Sequence, residues 1–264
     1  MKPFHIVIGF LVILVALPLL CIFVSGKALD PFTVDPARAF AEPGPGEWAG
    51  RDKLGRDYLA RVMLGTGKSV LAATLAAGTA LAVALLVGIT AGWKSQSRTD
   101  AVLGYLKSML FTVPFFLIAV AIGTVLRADL FGIYLIVGLV MWAPAARSAR
   151  SESIRVRSAL NAIASRAYGF TPSQQFRRVF LPQVILAPAV SVLYLLPELL
   201  GLDVGLSFFG LGATPPNPTL GRLVFEGVAA FPSAWWLLVT PGIVLVGICL
   251  ACNAFLHALP SFRS

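Results

Sequence analysis

The sequence predicts an all-α membrane protein with about six transmembrane helices, on three grounds. Of its 264 residues, 58% are hydrophobic and 12% charged, against roughly 25% charged in a soluble domain. The apolar residues fall into six runs, each near the ~20 residues that a helix needs to cross the hydrocarbon. The polar segments between them differ sharply in charge. A mean hydropathy of +0.85 leaves no room for a sizeable soluble domain.

The first run, residues 4–25 behind Lys2, is longer than the ~7–15 residue core of a cleaved signal and reads as an uncleaved span. Leu20 before Cys21 is a poor fit to a lipoprotein cleavage site, which prefers a small residue there. Residues 26–68 carry seven basic and six acidic side chains among several prolines, and form a polar loop outside the bilayer. Five further runs follow at 69–92, 108–126, 130–146, 183–202 and 235–256. The chain therefore divides into a first helix with its external loop (1–68), a five-helix core (69–257) and a short tail (258–264). Cys21, Cys249 and Cys252 lie in apolar runs without the companions of a metal site, and read as buried thiols.

Charge sets the topology. Residues 93–107 hold Lys94, Arg98 and Lys107 against Asp100, and residues 144–182 hold seven arginines against Glu152, an excess of +8 together. Six spans put both termini and these two segments on one side, which the excess of Lys and Arg makes cytoplasmic. The net charge of +9 is thus a membrane signature and not one of nucleic-acid binding. Residues 26–68, a turn near Arg127 and residues 201–233 then face outward. Pro114, Pro188, Pro197 and Pro241 sit inside spans, where a freed carbonyl must find a partner in a neighbouring helix or water. No internal repeat supports an inverted-repeat carrier.

Gly65, Thr66, Gly67, Lys68 and Ser69 end like a phosphate-binding loop, but Val62 stands where the first glycine belongs and no strand precedes them. They read as a glycine-relaxed start to a helix, with Lys68 reaching to the interface. His5 and His257 are isolated near the chain ends, and charge within the spans is confined to Glu198 and Asp203 at the outer end of the fifth. Proton-coupled carriers place ionisable groups at membrane depth; energy has to come from elsewhere. No catalytic, cofactor-binding or metal-binding residue is assigned. A self-contained ATPase built on Gly67, Lys68 and Ser69, and a channel or secondary carrier, are the rival readings.

Residues 158–182 predict a helix over 159–168, a break at Gly169 and a second helix capped by Thr171 with Pro172 at its first position. Two short helices meeting at a glycine make a protruding elbow. By itself this segment also fits a basic hairpin attracted to anionic lipid.

The elbow resembles the cytoplasmic loop of ABC importer permeases, whose pattern is Glu-Ala-Ala, three residues, Gly, and then a spacer ending in Leu-Pro. Gly169 followed by Phe170 takes the glycine position, and Leu181 with Pro182 falls at the expected distance. Ile163, Ala164 and Ser165 replace the triplet, with Arg166 behind them, so the glutamate is missing. Further stretches are similar to the oligopeptide, dipeptide and nickel branch. Gly50, Asp52, Gly55, Arg56, Asp57 and Arg61 match its outward motif, with Arg51 in place of Thr. Asp203, Ser207, Phe208, Gly210, Gly212 and Pro216 match its segment after span five. The resemblance covers about residues 46–257 and implies the type I importer permease fold, with a coupling helix between spans four and five. It implies these partners: a homologous second permease, two cytoplasmic ATPase domains holding ATP and Mg, an external solute-binding protein and membrane lipid. It also implies the bacterial inner membrane, with no cofactor on this chain. The resemblance implies peptides as the cargo, because they dominate the branch, with nickel or a metal–metallophore complex as the alternative.

Overall fold

The computed structural model describes residues 14–24, 30–112, 114–126, 130–159, 164–165 and 168–258. Helix α1 (Leu14–Val24) precedes a loop with a short 3-10 turn at Pro36–Arg38. Then follow α2 (Tyr58–Trp93), α3 (Arg98–Thr112), α4 (Phe115–Leu126), α5 (Leu130–Val140) and α6 (Ala143–Ser158). Helix α7 (Pro172–Phe208), α8 (Leu220–Ala230) and α9 (Trp236–Ala258) complete the chain. Among the described residues α2, α7 and α9 are each long and apolar enough to cross a membrane, and α5 with α6 passes the same test as a pair bent by 44°.

Prolines explain where these helices lose regularity. Proline has no N–H for the carbonyl four residues back, and its ring crowds that carbonyl. Pro144 strands Val140, the last residue of α5, and the chain bends there. Pro188 strands Val184 and Pro197 strands Leu193; α7 is locally interrupted just beyond each, at Ile185 and Tyr194. Before Pro182 the helix widens into a π turn over Phe176–Phe180, closed by Leu181 N–H donating to Phe176 O. The sequence-predicted run at 108–126 is likewise divided between α3 and α4 by Pro114, whose own carbonyl accepts from Leu117 N–H at 2.9 Å and so starts a new helix.

The residues fall into two compact units. One comprises Met1–Thr74, Ala119–Ile133 and Leu196–Ser264; the other comprises Leu75–Ile118 and Tyr134–Leu195. In the first, Tyr58, Val62, Leu223, Trp236 and Leu237 form a core with Ala49 and Ala234. In the second, small residues let backbones approach, as in membrane interfaces generally. A Cβ on Gly88 of α2 would lie 2.5 Å from the Ala149 Cβ of α6, and one on Gly92 would lie 2.5 Å from the Ser153 Cβ. Of the three cysteines, all free, Cys252 is buried, whereas Cys21 and Cys249 are half-buried. The expectation of three buried thiols thus holds for Cys252 alone, because the other two lie on partly uncovered helix faces.

Candidate functional site

In the first unit, residues 30–57 fold back on themselves through backbone hydrogen bonds: Asp35 N–H to Leu54 O at 3.1 Å, Phe40 N–H to Asp52 O at 3.1 Å and Arg51 N–H to Ala41 O at 2.9 Å. Gly50 and Gly55 make this possible. Both have φ near +70°, and a Cβ on Gly55 would lie 1.8 Å from Asp35 O, so no other residue fits there. Asp57 then caps α2, its Oδ1 accepting from Ala60 N–H at 2.9 Å.

Asp52 is buried and fully engaged. Its Oδ1 accepts from Leu54 and Arg56 N–H, and its Oδ2 from Arg56 Nε at 2.7 Å. Arg61, 2% exposed, lies between Asp52 (Nε to Oδ2, 3.2 Å) and Glu226 of α8 (Nη2 to Oε2, 3.7 Å). Glu226 also accepts from Arg222 Nε at 2.9 Å. The two carboxylates offset the buried charge of Arg61, but the pairing is ionic: its Nε and Nη1 make no hydrogen bond among the described residues. Arg51, at the position where the resemblance expects Thr, reaches Glu47 at 2.8 Å and Gly55 O at 2.9 Å. Glu226 as the second acid was not legible in the sequence.

The segment after α7 has its own centre in Asp203, 1% exposed. Its Oδ2 accepts from Ser69 Oγ at 2.7 Å and Gly221 N–H at 2.9 Å, and its Oδ1 from Thr219 Oγ1 at 3.1 Å. Thr219 in turn caps α8 by accepting from Arg222 N–H. A carboxylate with three donors at a helix N-terminus is favourably placed. Gly221 carries no Cβ because Asp203 O lies 2.3 Å from where it would stand. Ser207 Oγ donates to Asp203 O at 2.8 Å, and Gly212 passes so close to Ser207 that a Cβ would meet its Oγ at 2.3 Å. Gly210 (φ +74°) ends α7: its N–H reaches Ser207 O, and Leu211 N–H reaches Leu206 O, the paired bonds of a Schellman motif. Phe208 stacks edge-on to Phe225, and Pro216 is exposed in the loop.

The phosphate-loop look-alike resolves into helix packing within α2. Ser69 Oγ serves Asp203 and accepts from Leu220 N–H at 2.9 Å. Lys68 Nζ donates to Asn217 at 2.6 Å, and Gly67 admits α1, whose Ile22 Cγ1 lies 2.6 Å from a built Cβ.

The elbow belongs to the second unit. Gly169 has φ +76° with nothing within 4 Å of a Cβ, and Phe170 N–H closes onto Ser165 O at 3.1 Å, again the glycine-ended turn of a Schellman motif. Ser165 is buried, Ala164 exposed, and Tyr168 at the tip is 83% exposed. Thr171 forms a full capping box with Gln174, and Pro172 follows at the first position. Ile163 and Arg166 lie outside the described residues. The second arm of the elbow is not a separate short helix; it runs on as α7, because the π turn lets the helix pass the half-buried Leu181 and the exposed Pro182 without ending.

Beneath the elbow is an aromatic seat that sequence reasoning missed. Trp93, at the end of α2, meets Phe180 edge-on at 5.3 Å and Phe176 at 6.4 Å, while the two phenylalanines stack at 5.5 Å. Arg157 near the end of α6 lies over the Trp93 ring at 4.9 Å and donates to Trp93 O. Val156 and Val184 complete the cluster. The ends of α2 and α6 and the start of α7 are thereby packed together. The i, i+4 spacing of Phe176 and Phe180 was the available signal.

Comparison with known proteins gives three findings. Residues 84–261 match the family described as binding-protein-dependent transport system inner membrane component. The chain is 29% identical to the oligopeptide transport system permease protein OppC of Mycobacterium tuberculosis H37Rv, over 89% of this chain and 83% of that protein. It is 26% identical to the "Probable D,D-dipeptide transport system permease protein DdpC" of Escherichia coli K12, over 92% and 82%. A solved structure described as an amino acid ABC transporter with histidines aligns at a TM-score of 0.46 and 14% identity, covering 76% of this chain and 92% of that one. Among the described residues no group of His, Cys, Asp or Glu has metal-holding geometry.

Proposed function

For this chain, which belongs to the family of binding-protein-dependent transport system inner membrane components, we propose the role of one permease of a heteromeric ATP-driven peptide importer. Membership makes it a transport subunit of a multi-pass membrane protein family. The finer reading adds a second permease, two ATPase domains and an external binding protein, with the elbow on the cytoplasmic side. Peptides are favoured as cargo because the relatives named above are oligopeptide and dipeptide permeases.

The observation that carries the reading is the elbow on its aromatic seat. Tyr168 and Phe170 offer apolar surface at the tip of a glycine-closed turn. Behind it, Trp93, Phe176, Phe180 and Arg157 join it to three helices. An ATPase that closes against the tip in one nucleotide state and not the other has the differential contact a switch requires. Force at the tip then reaches α2, α6 and α7 without loss in a flexible linker. Substrate reaches the pathway from the binding protein, and this chain performs no bond chemistry.

The test is uptake of a labelled oligopeptide by cells carrying the intact importer. Loss of ATP-dependent uptake on deletion of this chain, restored by the wild type and not by Gly169→Val, supports the reading. A β-branched residue at φ +76° strains the turn, so copurification of the ATPases should fall with it while membrane insertion persists. A single cysteine at Tyr168, in a background without Cys21, Cys249 and Cys252, should label from the cytoplasmic side only. Unchanged peptide uptake without the chain, or labelling of the Tyr168→Cys variant from outside, would overturn the reading.

A further inference from the structure

Helix α7 carries two acids near its outer end, and the fold accounts for only one of them. Asp203 is buried among three donors. Glu198, one turn earlier, is exposed and makes no hydrogen bond or ion pair among the described residues. With the fifth apolar run ending at residue 202, Glu198 lies about 6 Å inside the outer end of its span, at ~1.5 Å per residue. An ionisable side chain at membrane depth is costly against lipid; such residues face a bundle interior or a water-filled space.

A second observation concerns the face on which Glu198 stands. Gly201, Gly205 and Phe208 follow it at spacings of three, four and three residues, so the four share one side of the helix. Gly201 and Phe208 are exposed and Gly205 is half-buried, whereas Leu196, Leu199, Asp203 and Leu206 on the opposite side are 1–2% exposed. A Cβ on Gly201 would meet nothing within 4 Å, so packing within this chain does not explain a residue that weakens a helix relative to alanine. The face is a shallow track, with a carboxylate at its inner end, bare backbone at two glycines and an aromatic ring at its outer end. Hydrocarbon would cover the glycines and strand the carboxylate; a bare cation would pair with the carboxylate and leave the track empty. An extended peptide matches both, because its first residue carries an ammonium and glycine lets another backbone come close.

We propose that this face of α7 lines the outer part of the translocation pathway, where the Glu198 carboxylate receives the N-terminal ammonium of an incoming peptide and Gly201 and Gly205 let its backbone lie against the helix. The proposal rests on the importer reading given above and deepens it, by naming the group of the cargo that this chain meets. Phe208, held edge-on to Phe225, is the apolar wall at the entrance. Every peptide with a free amino terminus has the ammonium, so the contact is independent of side-chain sequence.

The test places a single cysteine, Gly201→Cys, one turn from Glu198 in a chain without Cys21, Cys249 and Cys252. The assembled importer in right-side-out vesicles is treated with two membrane-impermeant thiol reagents, one cationic and one anionic. The thiol should react from outside and prefer the cationic reagent. Glu198→Gln should lower the cationic-to-anionic rate ratio about fivefold, the upper end for a solvent-exposed ion pair, and Glu198→Asp should keep it. In chains with glycine at 201, uptake of labelled trialanine at subsaturating concentration should fall about fivefold in Glu198→Gln and recover in Glu198→Asp. No reaction from outside in any nucleotide state would place the face against lipid or another subunit and overturn the proposal. Loss of the copurifying second permease in Glu198→Gln would assign the carboxylate to that interface, and a reagent ratio indifferent to residue 198 would remove its attraction for cations; either result also overturns it. Thiol reactivity needs no transport. A wild-type importer that takes up no peptide refutes the reading of the cargo, whereas uptake that is normal in both wild type and Glu198→Gln refutes this site alone.

Discussion

Tyr58→Phe removes a single oxygen, and the structure says what that oxygen does. Pro241 in α9 has no N–H, so the carbonyl of Leu237, four residues back, lacks its helical donor. The Tyr58 hydroxyl donates to that carbonyl at 2.5 Å, and Tyr58 is 2% exposed. Gly227 of α8 also approaches this carbonyl, a Cβ there lying 2.3 Å from the same oxygen. Leaving a buried carbonyl unpaired costs about 1–3 kcal/mol. At roughly 2–4 °C per kcal/mol for a chain of this size, a central 2 kcal/mol lowers the melting midpoint of the purified complex by about 4–8 °C. The decisive experiment is the double-mutant cycle with Pro241→Ala. An alanine N–H at 241 can donate to Leu237 O itself, so Tyr58→Phe in that background should cost only about 0.5 kcal/mol, a coupling of about 1.5 kcal/mol. Melting is followed by fluorescence-detected size exclusion after a heat step. Equal losses from Tyr58→Phe in both backgrounds would show that the hydroxyl acts through something other than the proline-freed carbonyl.

Asp203→Asn should destabilise the first unit by about 3 kcal/mol, because an amide nitrogen would face donors and one or two charge-assisted hydrogen bonds at ~1.5–3 kcal/mol each are lost; protease cleavage in the loop after α7 would report it. Gly88→Val, driven into Ala149 and Ala146 O at 2.5 and 2.6 Å, should cost about 1–3 kcal/mol by overpacking, whereas Gly78→Ala on the same helix meets nothing within 4 Å and should raise the midpoint, as alanine does in helices. The Arg150 guanidinium beside Asp100 holds that carboxyl down at about 2, below its unfolded value. Its stabilisation is therefore complete above about pH 5 and lost only as pH falls through 2, so headspace for titration is absent at working pH: the melting midpoint of Asp100→Asn relative to wild type should not change between pH 5.5 and 8.

Local rules made much of the elbow legible. Thr171 suits a helix cap, Pro172 a first helical position and Gly169 a left-handed helix end; all three were readable because each depends on neighbours within one turn, and the structure adds Gln174 as the second half of a capping box. Gly210, named from the sequence only as a motif residue, ends α7 in the same way. Continuity was harder. The helix after Pro172 runs on into α7 because a π turn before Pro182 absorbs the misfit, and no short-range pattern distinguishes absorption from termination. At Pro114 and Pro144 the same residue type instead divided or bent a predicted run.

The outward motif shows the other limit. Gly50 and Gly55 looked like motif glycines, but the reason they cannot be anything else is the approach of Ala41 O and Asp35 O, loop atoms that only the folded backbone brings near. Ser69, read as the tail of a failed phosphate loop, is a hydrogen-bond partner of Asp203, 134 residues away. Tyr58 meets the carbonyl left open by Pro241 across 179 residues. The chain's chemistry alone established that it lives in lipid, where it breaks and where its elbow turns, since hydropathy, proline and capping act over a few residues. Which carbonyl each hydroxyl serves, which acid joins Arg61, and which cation holds Asp100 were decided by packing, since a polar group buried away from water must find its partner wherever the fold supplies one.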